Sequence, residues 1–400
     1  MADVGAVEPI VGRYLELGLR LGRHVDGFVD AYYGPAELAD RIAAAPVVDP
    51  SILVADAGHL LADLDGGVDA DLVDATRRHW LRAQVVGLHT SARALAGEAI
   101  AYPDEVEWCY GVRPHRRDES LFEAAHRRLD TVLPGSGSLR ERIIAWRESL
   151  AIPVDRIDSV LRSIAEDFRD RTQRMFGLPV GERIEWELAT AQPWSGFNYY
   201  EGGLRSRVAI NIDLPVLATS IGHLVAHEAY PGHHTEHTRK EAGLVRERGH
   251  LEETIFCVGT PQCLIAEGLA DLALDVITEG EPEPIVAAHL RGVVDGFDPE
   301  VVRAVRGASE SLDAVRANAA WMLHAEGADL DDVIAYLERW SLLPHARAAK
   351  AVEFLTSPTW RSYISCYVEG LPLCRDWVGG DPARFAVLLS EQVVPADLGA

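Results

Sequence analysis

The run His227-Glu228-Ala229-Tyr230-Pro231-Gly232-His233-His234 constrains this chain most, because it sets ligand-type side chains where a helix cannot continue. Upstream, Leu217, Ile221 and Leu224 recur at helical spacing, and Asp213-Leu214-Pro215 offers an N-cap carboxylate and a first-turn proline. A helix is therefore expected from Asp213 to about Glu228. The residue four places after His227, where a straight helix would set a second histidine on the same face, is Pro231. His233 would lie about 9 Å further along the axis, at about 1.5 Å per residue, and off that face. The chain has to bend, and Pro231-Gly232 is the expected device, one residue lacking a donor and the next permitting unusual dihedrals. The bend would return His233 or His234 to His227, with His233 preferred.

A His-Glu pair of this kind has two jobs in metal-dependent hydrolysis: the imidazole holds zinc, and the adjacent carboxylate takes a proton from water. His227 and His233 are the candidate zinc ligands and Glu228 the candidate base. Zinc also needs a third protein ligand while one position stays open. Glu267, in the apolar stretch Leu264-Ile265-Ala266-Glu267-Gly268-Leu269-Ala270-Asp271, fits, because a carboxylate among such neighbours is costly unless paired or ligating. Asp271, four residues on and on the same face, is suited to orienting a ligand. His234, His223 and Asp271 are candidates for ligand or for orienting partner, and Glu236 and His237 are expected to be solvated or to support the ligands.

The rest of the chain reads as helices. Ile10, Tyr14, Leu17 and Leu21 share a face, as do Leu81, Val85, Leu88, Ala92 and Leu95, and a third stripe carries Ile157, Leu161, Ile164 and Phe168. A turn at Leu133-Pro134-Gly135-Ser136-Gly137-Ser138 precedes that third helix. Period-two alternation at Ile184, Trp186 and Leu188, and at Val208, Ile210 and Ile212, predicts two strands. The Gly- and aromatic-rich segment 192–203 between them reads as a loop. The expected architecture is mainly α with a small β-sheet beside the metal helix. Residues 1–180 form an N-terminal helical region and 181–400 a catalytic region, in one continuous fold.

Composition excludes some classes. With 38 basic against 62 acidic residues the formal charge is −24, which repels nucleic acid and anionic membrane. Five cysteines in apolar surroundings read as reduced thiols. Met1-Ala2-Asp3-Val4 has no basic lead, and the apolar residues after Ile10 are broken by Arg13, Glu16 and Arg20, so a cytoplasmic protein is expected. Nothing in the periodicity identifies an oligomer interface.

At three places the sequence resembles the family catalogued as domain of unknown function 885, whose members are similar to carboxypeptidase Taq-type zinc peptidases. His-Glu-x-x-Pro-Gly-His-His is matched at 227–234, Glu-Gly-x-Ala at Glu267-Gly268-Leu269-Ala270, and Tyr-x-x-Gly at Tyr367-Val368-Glu369-Gly370. The likeness runs from about residue 75 to about 380. The chain departs from the pattern at Leu269, where the family usually has an aromatic, and at Glu236, near the place of a frequent glutamine. The resemblance implies a zincin-like metallopeptidase fold, a zinc ion and hydrolysis of a peptide or small amide.

In such a reaction Tyr367 is the candidate donor to the developing oxyanion. The strand at 207–212 would present an edge to an extended substrate, with Tyr200, Arg207 and Arg375 as candidate substrate contacts. Two other classes use the same residues. Two histidines and one carboxylate also make the facial triad of non-heme iron oxygenases, though that chemistry has no need of Glu228. A closed site with a fourth protein ligand would be a structural metal in a binding protein.

Overall fold

The computed structural model describes residues 8–66, 74–192, 194–357 and 361–400. The chain start read above and Pro193 lie outside them. The fold is mainly α, as the periodicity predicts. The stripe Ile10, Tyr14, Leu17 and Leu21 is buried along helix Pro9–Gly22, and Leu81, Val85, Leu88 and Ala92 along helix Ala75–Leu95. The turn at 133–138 separates helices, but a further helix, Leu139–Ser149, stands before the long Val154–Met175. Ser138 and Glu141 cap it reciprocally.

Apolar side chains collect in two buried clusters. One gathers the helices before residue 95 with Ile255, Cys257 and Val394, and the other extends from Ala31 and Tyr102 to Leu398. All five cysteines are buried free thiols. Among the described residues no helix is long and apolar enough to cross a membrane.

The strand region departs from expectation. Besides β2 (Arg183–Ala189) and β4 (Arg205–Asn211), Gly196–Tyr200 is itself a strand, β3, inside the segment expected to be a loop. The order is β2-β4-β3, with β2 parallel and β3 antiparallel to β4. The strand expected to offer an edge is therefore the central one, and β2 and β3 are the edges. Aromatic content explains the strand: Phe197 and Tyr199 pack together on one face while Asn198 and Tyr200 are buried on the other. A two-stranded antiparallel pair joins β1 (Val29–Tyr32) to β5 (Ile255–Cys257), the latter lying beyond Asp213, where only helices are expected.

The helix that carries His227 also begins later than predicted, at Ala218, with no side-chain cap at Leu217. Residues 216–218 instead pair in extended form with 150–152, through Ile152 N–H to Val216 O and Ala218 N–H to Leu150 O. The Asp213 carboxylate accepts from the backbone of Ala191 and Gln192, tying down the loop before β3.

Candidate metal centre

Helix Ala218–Glu228 buries Ile221 and Val225 in the larger core and delivers His227 and Glu228, 8% and 6% exposed, at its last turn. The break then occurs where the sequence predicts it. Gly232 N–H donates to Ala226 O at 2.8 Å, folding the chain back over the end of the helix, and helix His233–Lys240 starts at once. A β-carbon on Gly232 would stand 2.0 Å from His227 O, so glycine is required here by close approach of backbone to backbone. The result sets His233 Nε2 3.1 Å from His227 Nε2.

His234 points elsewhere. Its Nε2 lies 2.9 Å from Glu182 Oε2 and its Nδ1 2.8 Å from Ser206 Oγ, while Tyr230 O–H donates to the same Glu182 oxygen. It pins the break to the sheet. Glu236 and His237, expected to be solvated or supporting, are buried: Glu236 pairs with Lys240 at 2.7 Å, and His237 stacks on Tyr200 at 4.8 Å.

Helix Pro261–Ile277 brings Glu267 to the pair, and a third helix, Ile364–Val378, docks on it by a reciprocal glycine contact. A β-carbon on Gly268 would stand 2.4 Å from Gly370 O, and one on Gly370 would stand 2.6 Å from Leu264 O. The glycines of the second and third motifs therefore touch, and their contact sets Tyr363 beside Glu267. Tyr363 O–H donates to Glu267 Oε1 at 2.7 Å. Sequence reasoning passed over Tyr363, since at four residues from Tyr367 it reads as a core stripe.

The candidate ligand atoms cluster, with one from each of His227, His233 and Glu267 within 4.8 Å of the others and the two imidazoles facing different oxygens of Glu267. His227 Nε2 to His233 Nε2 is 3.1 Å, His227 Nε2 to Glu267 Oε2 is 3.4 Å, and His233 Nε2 to Glu267 Oε1 is 3.5 Å. With zinc bonds of about 2.0–2.1 Å, donors of a tetrahedral site stand about 3.3 Å apart, so the residues fit zinc. Glu267 Oε2 is buried without a hydrogen-bond donor, an orphaned acceptor on the His227 side of the carboxylate. On the far side of the ring, His227 Nδ1 lies 3.0 Å from Asp271 Oδ1, though off hydrogen-bond alignment, and His223 Nε2 lies 3.4 Å from the same oxygen. Asp271 thus stands where it can orient His227, and His223 sits behind it.

The electrostatics follow from this packing. Burial opposes the charge on His227, but Asp271 and Glu267 outweigh it and hold the imidazole well above its usual range. Burial drives His233 down to about 4, so its ring is neutral. Burial also works against Asp271, yet His223 and His227 hold it well below the carboxylate range. Glu228 is raised by burial to about 7, with the charge on His227 opposing.

A fourth carboxylate was not anticipated. Asp30 sits at a bulge in β1, where the register shifts between Val29 and Ala31. Burial, with Glu267 and Glu228 adding, raises it to about 7. An acid inside Phe28-Val29-Asp30-Ala31-Tyr32 was the signal that could have found it, by the argument that found Glu267.

The expected substrate contacts fare differently. Tyr367 is partly buried, its ring 5.4 Å from that of Tyr363. Burial and the charge on Glu267 keep its phenol well above the usual range, hence protonated. Tyr200 is buried and its hydroxyl is committed to Glu241. Arg207 lies over the Tyr199 ring and pairs with Glu187, and Arg375 pairs with Glu310 at 2.6 Å. These three have partners of their own and do not join the cluster. Gly196 of the edge strand does adjoin it: a β-carbon there would stand 3.2 Å from Glu228 Oε1, and Asn198 of the same strand donates to Glu228 O at 2.6 Å.

No family model matches this chain, and no curated protein does. Among solved structures, it is similar to a "putative lipoprotein" from Colwellia psychrerythraea at 14% identity and a TM-score of 0.53, over 86% of this chain and 65% of that one. A second, a "putative lipoprotein of unknown function" from Shewanella oneidensis, matches at 13% identity and a TM-score of 0.46, over 90% of this chain and 74% of that one. The match thus spans just under two thirds of the Colwellia protein, and at this identity the likeness concerns the fold alone.

Proposed function

We propose that this protein is a zinc-dependent hydrolase of peptide or related amide bonds, with a zincin-like catalytic region of the kind the motif resemblance implies. The observation that carries the reading is the buried cluster of His227, His233 and the Glu267 carboxylate, with nearest contacts of 3.1 to 3.5 Å and Glu228 next to one of them in the chain. Zinc held there would lower the pKa of a coordinated water to about 7 and polarise a carbonyl.

The chain's own groups supply the rest. Glu228 accepts the proton of the attacking water and passes it to the departing amine. Asp271 keeps His227 oriented, and Tyr363 does the same for Glu267. Tyr367, whose hydroxyl is not needed by Glu267, donates to the developing oxyanion. The face of β3 at Gly196 lies against Glu228 and β3 is an edge strand of the sheet, so the strand role expected of β4 passes to β3.

Zinc is favoured over an iron triad by Glu228, which oxygen chemistry leaves without a task. A closed structural site is disfavoured because His234, the obvious fourth ligand, is taken by Glu182 and Ser206. A reducing cytoplasmic location accords with five unpaired thiols, and cell fractionation tests it.

The deciding experiment is metal analysis of purified protein together with Glu228→Gln. One zinc per chain is expected, and the variant keeps the metal while losing about 10²–10⁴-fold in turnover of a peptide mixture. Iron in place of zinc, or undiminished turnover in the variant, would overturn the proposal.

A further inference from the structure

Strand β1, which carries Asp30 at its bulge, packs against the edge strand β3, the Tyr33 and Tyr200 rings meeting edge to face at 5.2 Å. Asp30 makes no ion pair or side-chain hydrogen bond among the described residues. The ionisable groups that act on it or that it acts on are Glu228, Glu267, Cys257 and Cys263, and none of them is a cation. A carboxylate withdrawn from water beside two others destabilises the fold unless a cation comes to it.

The same want of donors is found on β3. Asn198 is 6% exposed, its amide nitrogen donates to Glu228 O at 2.6 Å, and its Oδ1 is buried without a partner. Because a backbone carbonyl can only accept, that bond fixes which way the amide points. The Glu228 carboxylate likewise receives no hydrogen bond or ion pair among the described residues. Three acceptor groups from β1, β3 and the His227 helix therefore lack donors. An ammonium group, one charge with several N–H donors, supplies what they lack.

Position selects the kind of ammonium. The α-nitrogen of an amino-terminal residue is bonded to the carbon next to its carbonyl, so whatever holds it has to stand close to the groups that attack that carbonyl. Asp30 does so, within reach of the charges on Glu228 and Glu267.

We infer that the substrate is a peptide with a free amino terminus, that Asp30 binds its α-ammonium with Asn198 Oδ1 as a further acceptor, and that the first peptide C–N bond is the one broken. The inference deepens the hydrolase reading and rests on it. The oxygen of water joins the acyl carbon of the terminal residue. One water proton passes through Glu228 to the departing nitrogen of the second residue, and the other stays on the new carboxyl group until that ionises. The chain's charge of −24 favours the approach of such a cation.

Calorimetric titration of the purified protein with leucinamide and with 4-methylpentanamide, the same skeleton without its α-amine, tests the site. Leucinamide is expected to bind about tenfold tighter or better, the advantage of a charged hydrogen-bonded pair. An amine can also ligate zinc, so the variants decide: the advantage collapses in Asp30→Asn and is partly kept in Asp30→Glu. Both should fold, because the native carboxylate has no partner to lose, and far-ultraviolet circular dichroism checks this. Equal affinity for the two probes, or an advantage unchanged in Asp30→Asn, would overturn the assignment. Hydrolysis of paired peptides with free and acetylated amino termini separates this from the parent reading. Equal cleavage of both sinks the Asp30 assignment and leaves the hydrolase, whereas Asp30-dependent ammonium binding without any cleavage leaves the ammonium site and sinks the hydrolase.

Discussion

Replacing Gly232 by alanine probes the break on which the proposed zinc site depends. The new β-carbon would stand 2.0 Å from His227 O, 2.5 Å from Ala226 O and 2.7 Å from His227 C. Carbon and oxygen tolerate about 3.3 Å, so the backbone has to yield by about 1 Å. The atoms in the way are backbone of the metal helix itself, and no rotamer change relieves them. Moving the chain also stretches the Gly232 N–H to Ala226 O bond. Overpacking of this kind costs about 1–3 kcal/mol and the lost bond about 0.5–1.5, together about 2–4 kcal/mol. Under the proposed function the larger effect falls on zinc affinity, because zinc ligands hold their distances within about 0.2 Å and His233 is the residue directly after the displaced one. Urea denaturation of chelated protein measures the first effect, and competition for zinc against a chromophoric chelator the second. Gly243→Ala serves as control, since a β-carbon there meets nothing within 4 Å. Gly232→Ala protein with unchanged denaturation midpoint and unchanged zinc affinity would refute the account of the break.

Tyr363→Phe removes the donor from Glu267 Oε1 and leaves a second unsatisfied oxygen on a buried carboxylate, so the chelated protein should lose about 1–3 kcal/mol in urea denaturation. Asp271→Asn weakens the support of His227, and zinc affinity measured by chelator competition should fall about 10–100-fold while the fold persists, as far-ultraviolet circular dichroism will report. Glu253 provides a pH test away from the metal ligands. Burial raises it to about 7, Lys240 opposing and Glu252 adding. A raised folded pKa means its contribution is fully present below the unfolded value of about 4.3 and is lost as pH rises to about 7, on the order of 3 kcal/mol in all. Glu253→Gln should flatten that part of the stability profile and be the more stable protein at pH 8; parallel profiles for the two proteins would count against the assignment.

The sequence by itself determined the features that depend on near neighbours. Helical stripes such as Ile10 to Leu21 were legible because side chains three and four residues apart share a helix face wherever the helix goes. The break at Pro231-Gly232 was legible because a missing donor and a missing β-carbon act locally. Glu267 and Asp271 were legible as a pair for the same reason, four residues apart on one helix. The β3 strand was not, because glycine with aromatics suits a loop until β4 is there to pair with it. Equally, β4 could not be known as the central strand, since which strands flank it is settled by segments that local pattern does not connect.

At the site, tertiary structure made the choices that local rules left open. Between His233 and His234, adjacent in sequence and identical in chemistry, the decision came from Glu182 and Ser206, which capture His234 from outside the motif. Tyr363 reached Glu267 across 96 residues because two glycines let their helices approach to backbone contact. Asp30 came within reach of the charges on Glu267 and Glu228 through a bulge in β1. The run His227 to His234 announced its bend and its candidate ligands because both follow from covalent neighbours. Which donors surround them was decided by packing, since a hydrogen bond or ion pair depends on distance through space, and only the folded chain sets that distance.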